Sequence, residues 1–323
     1  MAAKREVRYN DHNLTASCHT RQMGGDIPVQ RVGLFVFTGT GNTALVASHL
    51  AQAFRARGLS VDVIHITDVL RGSRDLSVEA YDLVGIGHPI YGFDAPRNVY
   101  AFARRLPAVH GKRTFLFKSG ADFISLNHTA SPRLVRRLRR KGYAVFYDRI
   151  FAMPCNWWLR YPDVLSRALC QVLPGKAAHM VDEVLSGKNR RLPANLLWDL
   201  AVESLHFWEE WGARLFGRLL YASEDCVGCG HCVDTCPTGN IHQEGERIVF
   251  GWDCLWCMRC LYSCPEQALH PRLFRFSTIQ DGYNLDEIAS VELDGHKGVQ
   301  GRESEIYRGY YAHFQKYVER IEV

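Results

Sequence analysis

From Arg31 to Met153 the chain alternates short apolar runs with amphipathic stretches. Val32-Gly-Leu-Phe-Val-Phe37 is continuously apolar, as expected of a strand buried on both faces. Behind it, Val46, Leu50, Ala53 and Phe54 recur at helical spacing as far as Gly58. Ser60–Ile66, Tyr81–Gly87, Arg113–Ser119 and Tyr143–Met153 read as four further strands. Pro96 opens a helix towards Leu106, and another runs from Ser131 to Lys141 and stops at Gly142. Strands alternating with helices predict an α/β fold, a doubly wound parallel sheet of five strands with both faces covered.

Beyond Asn156 the pattern becomes helical, with breaks expected near Pro174 and Pro193. Asn195 to Tyr221 holds Leu196, Leu197, Leu200, Phe207, Trp208, Trp211, Leu215 and Phe216, more apolar residues than one helix face carries. A bridge helix buried between two modules is the expectation, its aromatics either core or the roof of a pocket. Residues 1–30 are polar and aperiodic and read as a mobile tail, with Met23 as an alternative start. Residues 273–323 have mixed polarity; Glu303–Ile321 is compatible with a terminal helix, and no role is assigned to it. No apolar run is long enough to cross a bilayer, because charges such as Asp199, Glu203 and Arg214 interrupt the best one. With no apolar leader, a cytoplasmic location is expected.

The chain has 11 cysteines, and eight lie in two matching lines. Cys226, Cys229, Cys232 and Cys236 precede Pro237; Cys254, Cys257, Cys260 and Cys264 precede Pro265. Both lines are C-x2-C-x2-C-x3-C-P, and Ile241-His242 falls on Leu269-His270 at the same offset, so the segment is an internal duplication. Three thiolates at this spacing wrap one cubane iron–sulfur cluster, and the fourth ligates the other. Cys226, Cys229, Cys232 and Cys264 are therefore expected to hold one [4Fe–4S] cluster. Cys254, Cys257, Cys260 and Cys236 are expected to hold a second. Gly228 and Gly230 leave room for backbone N–H groups to face cluster sulfurs. Zinc sites pair two knuckles across a long gap, and disulfides need an oxidising compartment, so both alternatives fit less well. Cys18, Cys155 and Cys170 are left as ordinary thiols. The eight-cysteine stretch resembles a bacterial two-cluster ferredoxin over about fifty residues.

The first strand runs straight into Thr38-Gly39-Thr40-Gly41-Asn42-Thr43 and then into a helix. A helix N-terminus presents free N–H groups and positive dipole character to a phosphate. The hydroxyls and the Asn42 amide are added donors. The loop is neither Walker A nor G-x-G-x-x-G. It resembles the FMN-phosphate loop of flavodoxins, and the order of elements over residues 31–190 resembles their fold. That resemblance implies flavin contacts from the loop after the third strand, here His88, Pro89, Tyr91 and Gly92, with Tyr91 stacked on the ring. It also implies contacts from Ser119, Gly120 and Ala121 after the fourth strand. Tyr91 as a packed loop aromatic is the plainer alternative, and His88 is either a donor or an exposed loop histidine. His88 and Tyr91 are the only candidates for catalysis.

Charge alters the picture in one respect. From Phe216 to His270 three basic residues face seven acidic ones, a net of −4 that leaves +9 on the rest of a chain with +5 overall. An acidic module on a basic body suggests that the two dock. Arg133, Arg136, Arg137, Arg139, Arg140 and Lys141 crowd one helix, but no aromatics interleave with them, so nucleic acid is not an expected partner. A solvated face, or docking of an acidic electron carrier, fits better.

Together with Met153-Pro154-Cys155-Asn156 these features resemble bacterial flavodoxin–ferredoxin fusion proteins. The organisation expected is a tail (1–30), a flavodoxin-like FMN domain (31–190), a helical bridge (191–222), a small α+β two-cluster ferredoxin domain (223–272) and an extension (273–323). The function implied is electron traffic between an external carrier, two [4Fe–4S] clusters and FMN, as a flavin-dependent reductase of a small organic substrate or as a pure electron-transfer protein.

Overall fold

The structure, a computed structural model, describes residues 29–192, 196–279, 282–290 and 313–321. The tail to residue 28, the alternative start at Met23, Cys18, Pro193 and most of the expected terminal helix lie outside these residues.

Five parallel strands form the central sheet: β1 (Arg31–Val36), β2 (Ser60–His65), β3 (Leu83–Pro89), β4 (Lys112–Gly120) and β5 (Tyr143–Ala152). Their order is β2-β1-β3-β4-β5, the flavodoxin-like doubly wound arrangement. Helices cover both faces: α1 (Asn42–Arg55), α2 (Ile66–Arg71), α3 (Arg97–Arg105), α4 (Pro132–Arg140) and α5 (Asp163–Leu185). One core lies between the sheet and α1 and α5, around Val46, Leu50, Phe54, Phe115 and Phe117. The other lies under α2, α3 and α4, around Phe35, Ile86, Val99, Phe102 and Leu134. Reversal of strand order between β1 and β3 opens a crevice at their carboxyl ends, where ligands of such sheets sit.

Two expectations about helices fail. Pro174 does not break the chain; α5 runs through it for 23 residues. Leu165, Leu169, Leu173, Ala177, Met180, Val181 and Val184 are buried along it. Packing along the whole length of one face outweighs a lost backbone bond. The bridge helix forms as α6 (Leu196–Arg218). Among its described side chains, Phe207, Trp208 and Trp211 are not buried between modules, being 53%, 69% and 54% exposed, whereas Ala213 and Phe216 are buried.

The duplicated segment forms two small antiparallel sheets. β6 (Leu220–Ala222) pairs with β9 (Leu269–Pro271), and β7 (Ile241–Glu244) pairs with β8 (Arg247–Phe250). The short helices α7 (His231–Thr235) and α8 (Arg259–Tyr262) begin at equivalent places in the two repeats.

The extension does what the sequence did not disclose. Ile279, Tyr283 and Leu285, the last at the start of α9 (Leu285–Ser290), join the core beside α1 and α5. The Tyr283 hydroxyl donates to Asn42 Oδ1 at 2.5 Å. Residues 313–319 are helical and seat Phe314 and Tyr317 against Tyr161 and Leu165. The extension thus straps the sheet's ligand end from outside. Among the described residues no helix is long and apolar enough to cross a membrane.

Candidate functional site

A cavity of about 490 Å³ occupies the crevice. The first helical bond of α1 runs from Leu45 N–H to Gly41 O, so the N–H groups before it point out of the helix end. Gly41 holds φ +104°, a left-handed turn that aims the loop at the cavity. Thr38, Gly39, Thr40, Asn42 and Thr43 line this space. Thr38 Oγ1 accepts from Gly41 N–H at 3.2 Å, and Thr43 Oγ1 meets Ser119 Oγ at 2.7 Å. The Asn42 side chain is already engaged: its Nδ2 donates to Pro154 O at 2.9 Å, and its Oδ1 accepts from the Tyr283 hydroxyl.

The other predicted loops converge on the same space. Pro89, Tyr91, Gly92, Ser119, Gly120 and Ala121 all line it. The Tyr91 turn is pinned by paired backbone bonds with Asp94, whose carboxylate takes Tyr100 Oη at 2.6 Å and Arg133 at 2.9 Å. The Tyr91 hydroxyl is buried with no hydrogen-bond partner among the described residues. Burial pushes its pKa well up, so it stays protonated and able to donate.

His88 is a correction. It belongs to β3, not to a loop, and is 0% exposed. It lies outside the cavity lining. Strand β3 extends two residues past the apolar run because His88 pairs in register with Lys118 of β4. Burial, with a smaller contribution from Lys118, lowers the His88 pKa to about 4. The folded protein therefore holds His88 neutral while the unfolded side chain titrates at 6.5. Stability is expected to fall as pH drops through that interval, since the unfolded chain binds the extra proton. His88→Gln should flatten this part of the profile in thermal melts; an unchanged slope would show another group responsible.

The eight cysteines gather into two small cavities. One is lined by Cys226, Cys229, Cys232 and Cys264. The other is lined by Cys236, Cys254, Cys257 and Cys260. In each, three sulfurs come from one repeat and the fourth from the other. Among the described residues no three His, Cys, Asp or Glu side chains converge closely enough for a single metal ion. Sulfurs spread round a cavity suit a cluster better than zinc. Burial pushes the Cys254 thiol up to about 12 and raises those of Cys257 and Cys260. Iron would supply the positive charge that lets them bind as thiolates.

Residues 218–265 match the model of the family described as a 4Fe-4S dicluster domain. No curated protein sequence matches the chain. Among solved structures, an archaeal flavodoxin is similar at 13% identity over 48% of this chain and 99% of its own, with a TM-score of 0.33. Reduced Megasphaera elsdenii flavodoxin is similar at 22% identity over 46% and 98%, TM-score 0.31. An NAD(P)H:quinone oxidoreductase from Methanothermobacter marburgensis is similar at 12% identity over 47% and 97%, TM-score 0.35.

The dicluster segment is seated on the crevice itself. Trp256, Cys257 and Met258 line the large cavity beside Thr38–Thr43. Leu255 and Cys257 are part of the core beneath α2 and α3. Arg259 donates through Nε to Gly39 O at 2.9 Å, and through its terminal nitrogens to Thr38 O and Thr235 O. Gly39 allows this approach, because a Cβ there would lie 2.4 Å from Tyr91 Oη and 2.7 Å from Cys257 O.

Sequence reasoning missed Arg259, Trp256 and Met258. A signal for two of them was present in the duplication. Gly228 and Gly230 hold φ +66° and +74°; their counterparts 28 residues on are Trp256 and Met258, at +55° and +60°. The first repeat uses glycine where the backbone is left-handed. The second places large side chains in the same strained geometry and delivers both to the cavity.

Proposed function

We propose that the chain is a redox protein in which the large cavity holds FMN and the two cysteine cavities hold one [4Fe–4S] cluster each. The domains are taken as 31–190 for the flavin and 223–272 for the clusters. The observation that carries this reading is the shared wall: Cys257, a ligand in the second cysteine cavity, lines the space bounded by Thr38–Thr43. FMN exchanges electrons in pairs or singly, and a [4Fe–4S] cluster exchanges them one at a time.

The protein's part is placement. The α1 N-terminus with Thr38, Thr40 and Thr43 is the seat for the phosphate. Tyr91, Trp157 and Trp256 supply aromatic walls, and Ser119 to Ala121 the opposite edge. Cys226, Cys229, Cys232 and Cys264 bind the remote cluster; Cys236, Cys254, Cys257 and Cys260 bind the near one. Arg259 ties the near ligand loop to the phosphate loop. A flavin-dependent reductase is the reading we favour, with the buried Tyr91 hydroxyl as the donor facing the cavity. Pure electron transfer is the second reading, favoured by the removal of His88 from the lining.

Anaerobic purification followed by iron, sulfide and flavin analysis tests the assignment. About eight iron, eight sulfide and one FMN per chain are expected. Full iron with no flavin bound after FMN is offered would overturn the cavity assignment.

A further inference from the structure

A second cavity, of about 720 Å³, opens at the seam between the sheet domain and the dicluster segment. It is a groove, and its lining includes Arg71, Arg97, Arg104, Arg105, Arg133 and Arg137 against two carboxylates, Glu210 and Asp253. Two of the arginines have carboxylate partners: Arg97 pairs with Asp253 at 2.7 Å, and Arg133 with Asp94 at 2.9 Å. Arg71 donates to Cys236 O at 2.5 Å, and Arg105 to the Val69 and Leu70 carbonyls, bonds that leave their charge uncompensated. Arg137 rests over the Tyr100 ring at 5.4 Å. Asn98 also lines the groove; it is 4% exposed, and neither atom of its amide has a partner among the described residues.

One wall of the groove is the cluster-ligand segment. Pro237, Thr238 and Asp253 line it, directly adjoining Cys236 and Cys254 in the chain. Arg97 also donates to Cys254 O at 2.9 Å. The positive charge continues beyond the groove along α4, where Arg136, Arg139 and Arg140 are exposed. The opposite end of the dicluster segment is acidic. Glu224, Asp225, Asp234 and Glu266 are exposed around the Cys226–Cys264 cavity.

We propose that this arginine groove is the docking site for a small acidic electron-carrier protein. The proposal rests on the redox reading above. Charge complementarity selects the partner. An acidic face is attracted to the groove and its α4 margin and repelled from the Glu224–Glu266 end. A carrier seated there lies against the backbone of Cys236 and Cys254, the ligand loops nearest the flavin cavity. Carboxylates suit the guanidinium groups that have no carboxylate partner. The groove's position beside one cysteine cavity, and not the other, gives the docked protein a defined port.

The test is calorimetric binding of a purified acidic ferredoxin to the intact, cluster-loaded chain, with a basic cytochrome as the control. Binding of the acidic protein is expected to weaken by about tenfold or more between low and physiological ionic strength. Arg104→Glu combined with Arg136→Glu should weaken it by about tenfold or more again, with iron content and flavin content unchanged. Arg104 lines the groove and Arg136 is exposed on its α4 margin, and neither belongs to the ligand loops. Binding that ignores salt and both substitutions would overturn the proposal. So would tight one-to-one binding of pyrophosphate that leaves ferredoxin binding untouched, which would give the groove to a small phosphorylated ligand. Failure of the redox reading shows separately, as a chain without iron or flavin.

Discussion

Cys236→Ser is expected to empty the cavity formed by the other repeat. Cys236 follows Cys232 by four residues, yet its sulfur joins Cys254, Cys257 and Cys260. Iron should fall from about eight to about four per chain or lower, because a cubane that loses one of four thiolates is exposed to water and oxidant. Cys264→Ser is the mirror experiment and should empty the cavity of Cys226, Cys229 and Cys232. The two variants differ in one respect. The Cys236 cavity adjoins the flavin site through Cys257 and Met258, whereas the Cys264 cavity shares no lining residue with it. Cys236→Ser should therefore also weaken FMN retention, and Cys264→Ser should spare it. Electron paramagnetic resonance with iron and flavin analysis reads all three quantities. Loss confined to the repeat that carries the substitution would contradict crossed ligation.

Arg259→Ala should have the next largest effect. Its guanidinium serves Thr38 O, Gly39 O and Thr235 O, three carbonyls from two modules. Hydrogen bonds to a charged donor are each worth about 1.5–3 kcal/mol, and the carbonyls left behind are only partly rehydrated. A loss of about 3 kcal/mol is expected, read as a lower melting temperature. The loop at Thr38–Gly39 loses its anchor at the same time, so FMN affinity should drop by about tenfold or more while iron stays near full. Arg259→Lys should recover little, because an ammonium lacks the planar fork that spans adjacent carbonyls. Unchanged FMN affinity and melting temperature in the alanine variant would show that the modules are held together elsewhere.

The sheet was legible because its central strands β1 and β3 are buried on both faces and read as apolar runs, while the edge strand β2 alternates buried and exposed positions. Val32–Phe37 and Tyr81–Gly87 needed no tertiary information to be recognised. The cysteine lines were legible because cluster ligation imposes its own spacing on the chain. What stayed hidden depended on distance in sequence. His88 looked like a loop residue because a polar side chain followed by Pro usually ends a strand. Its burial follows from pairing beside Lys118, which itself lies against Asp148 at 2.8 Å in the sheet. Asn42 looked like a free donor, but its Nδ2 donates to Pro154 O, 112 residues away, and its Oδ1 accepts from Tyr283. Phe207, Trp208 and Trp211 of α6 looked like core because composition counts apolar residues without saying which side faces solvent.

The sequence by itself determined the chemistry available to this protein: eight cysteines in two matching lines, a glycine- and threonine-rich loop at a helix start, and an alternating pattern that builds a parallel sheet. Each is a local property of residue type and spacing. Only the tertiary structure decided that Trp256, Cys257 and Met258 close the same cavity as Thr38–Thr43, that the extension straps that cavity from outside, and that six arginines from α2, the start and end of α3, and α4 face one groove. Those outcomes arise when surfaces far apart in the chain are buried together, and no local pattern encodes which surfaces will meet.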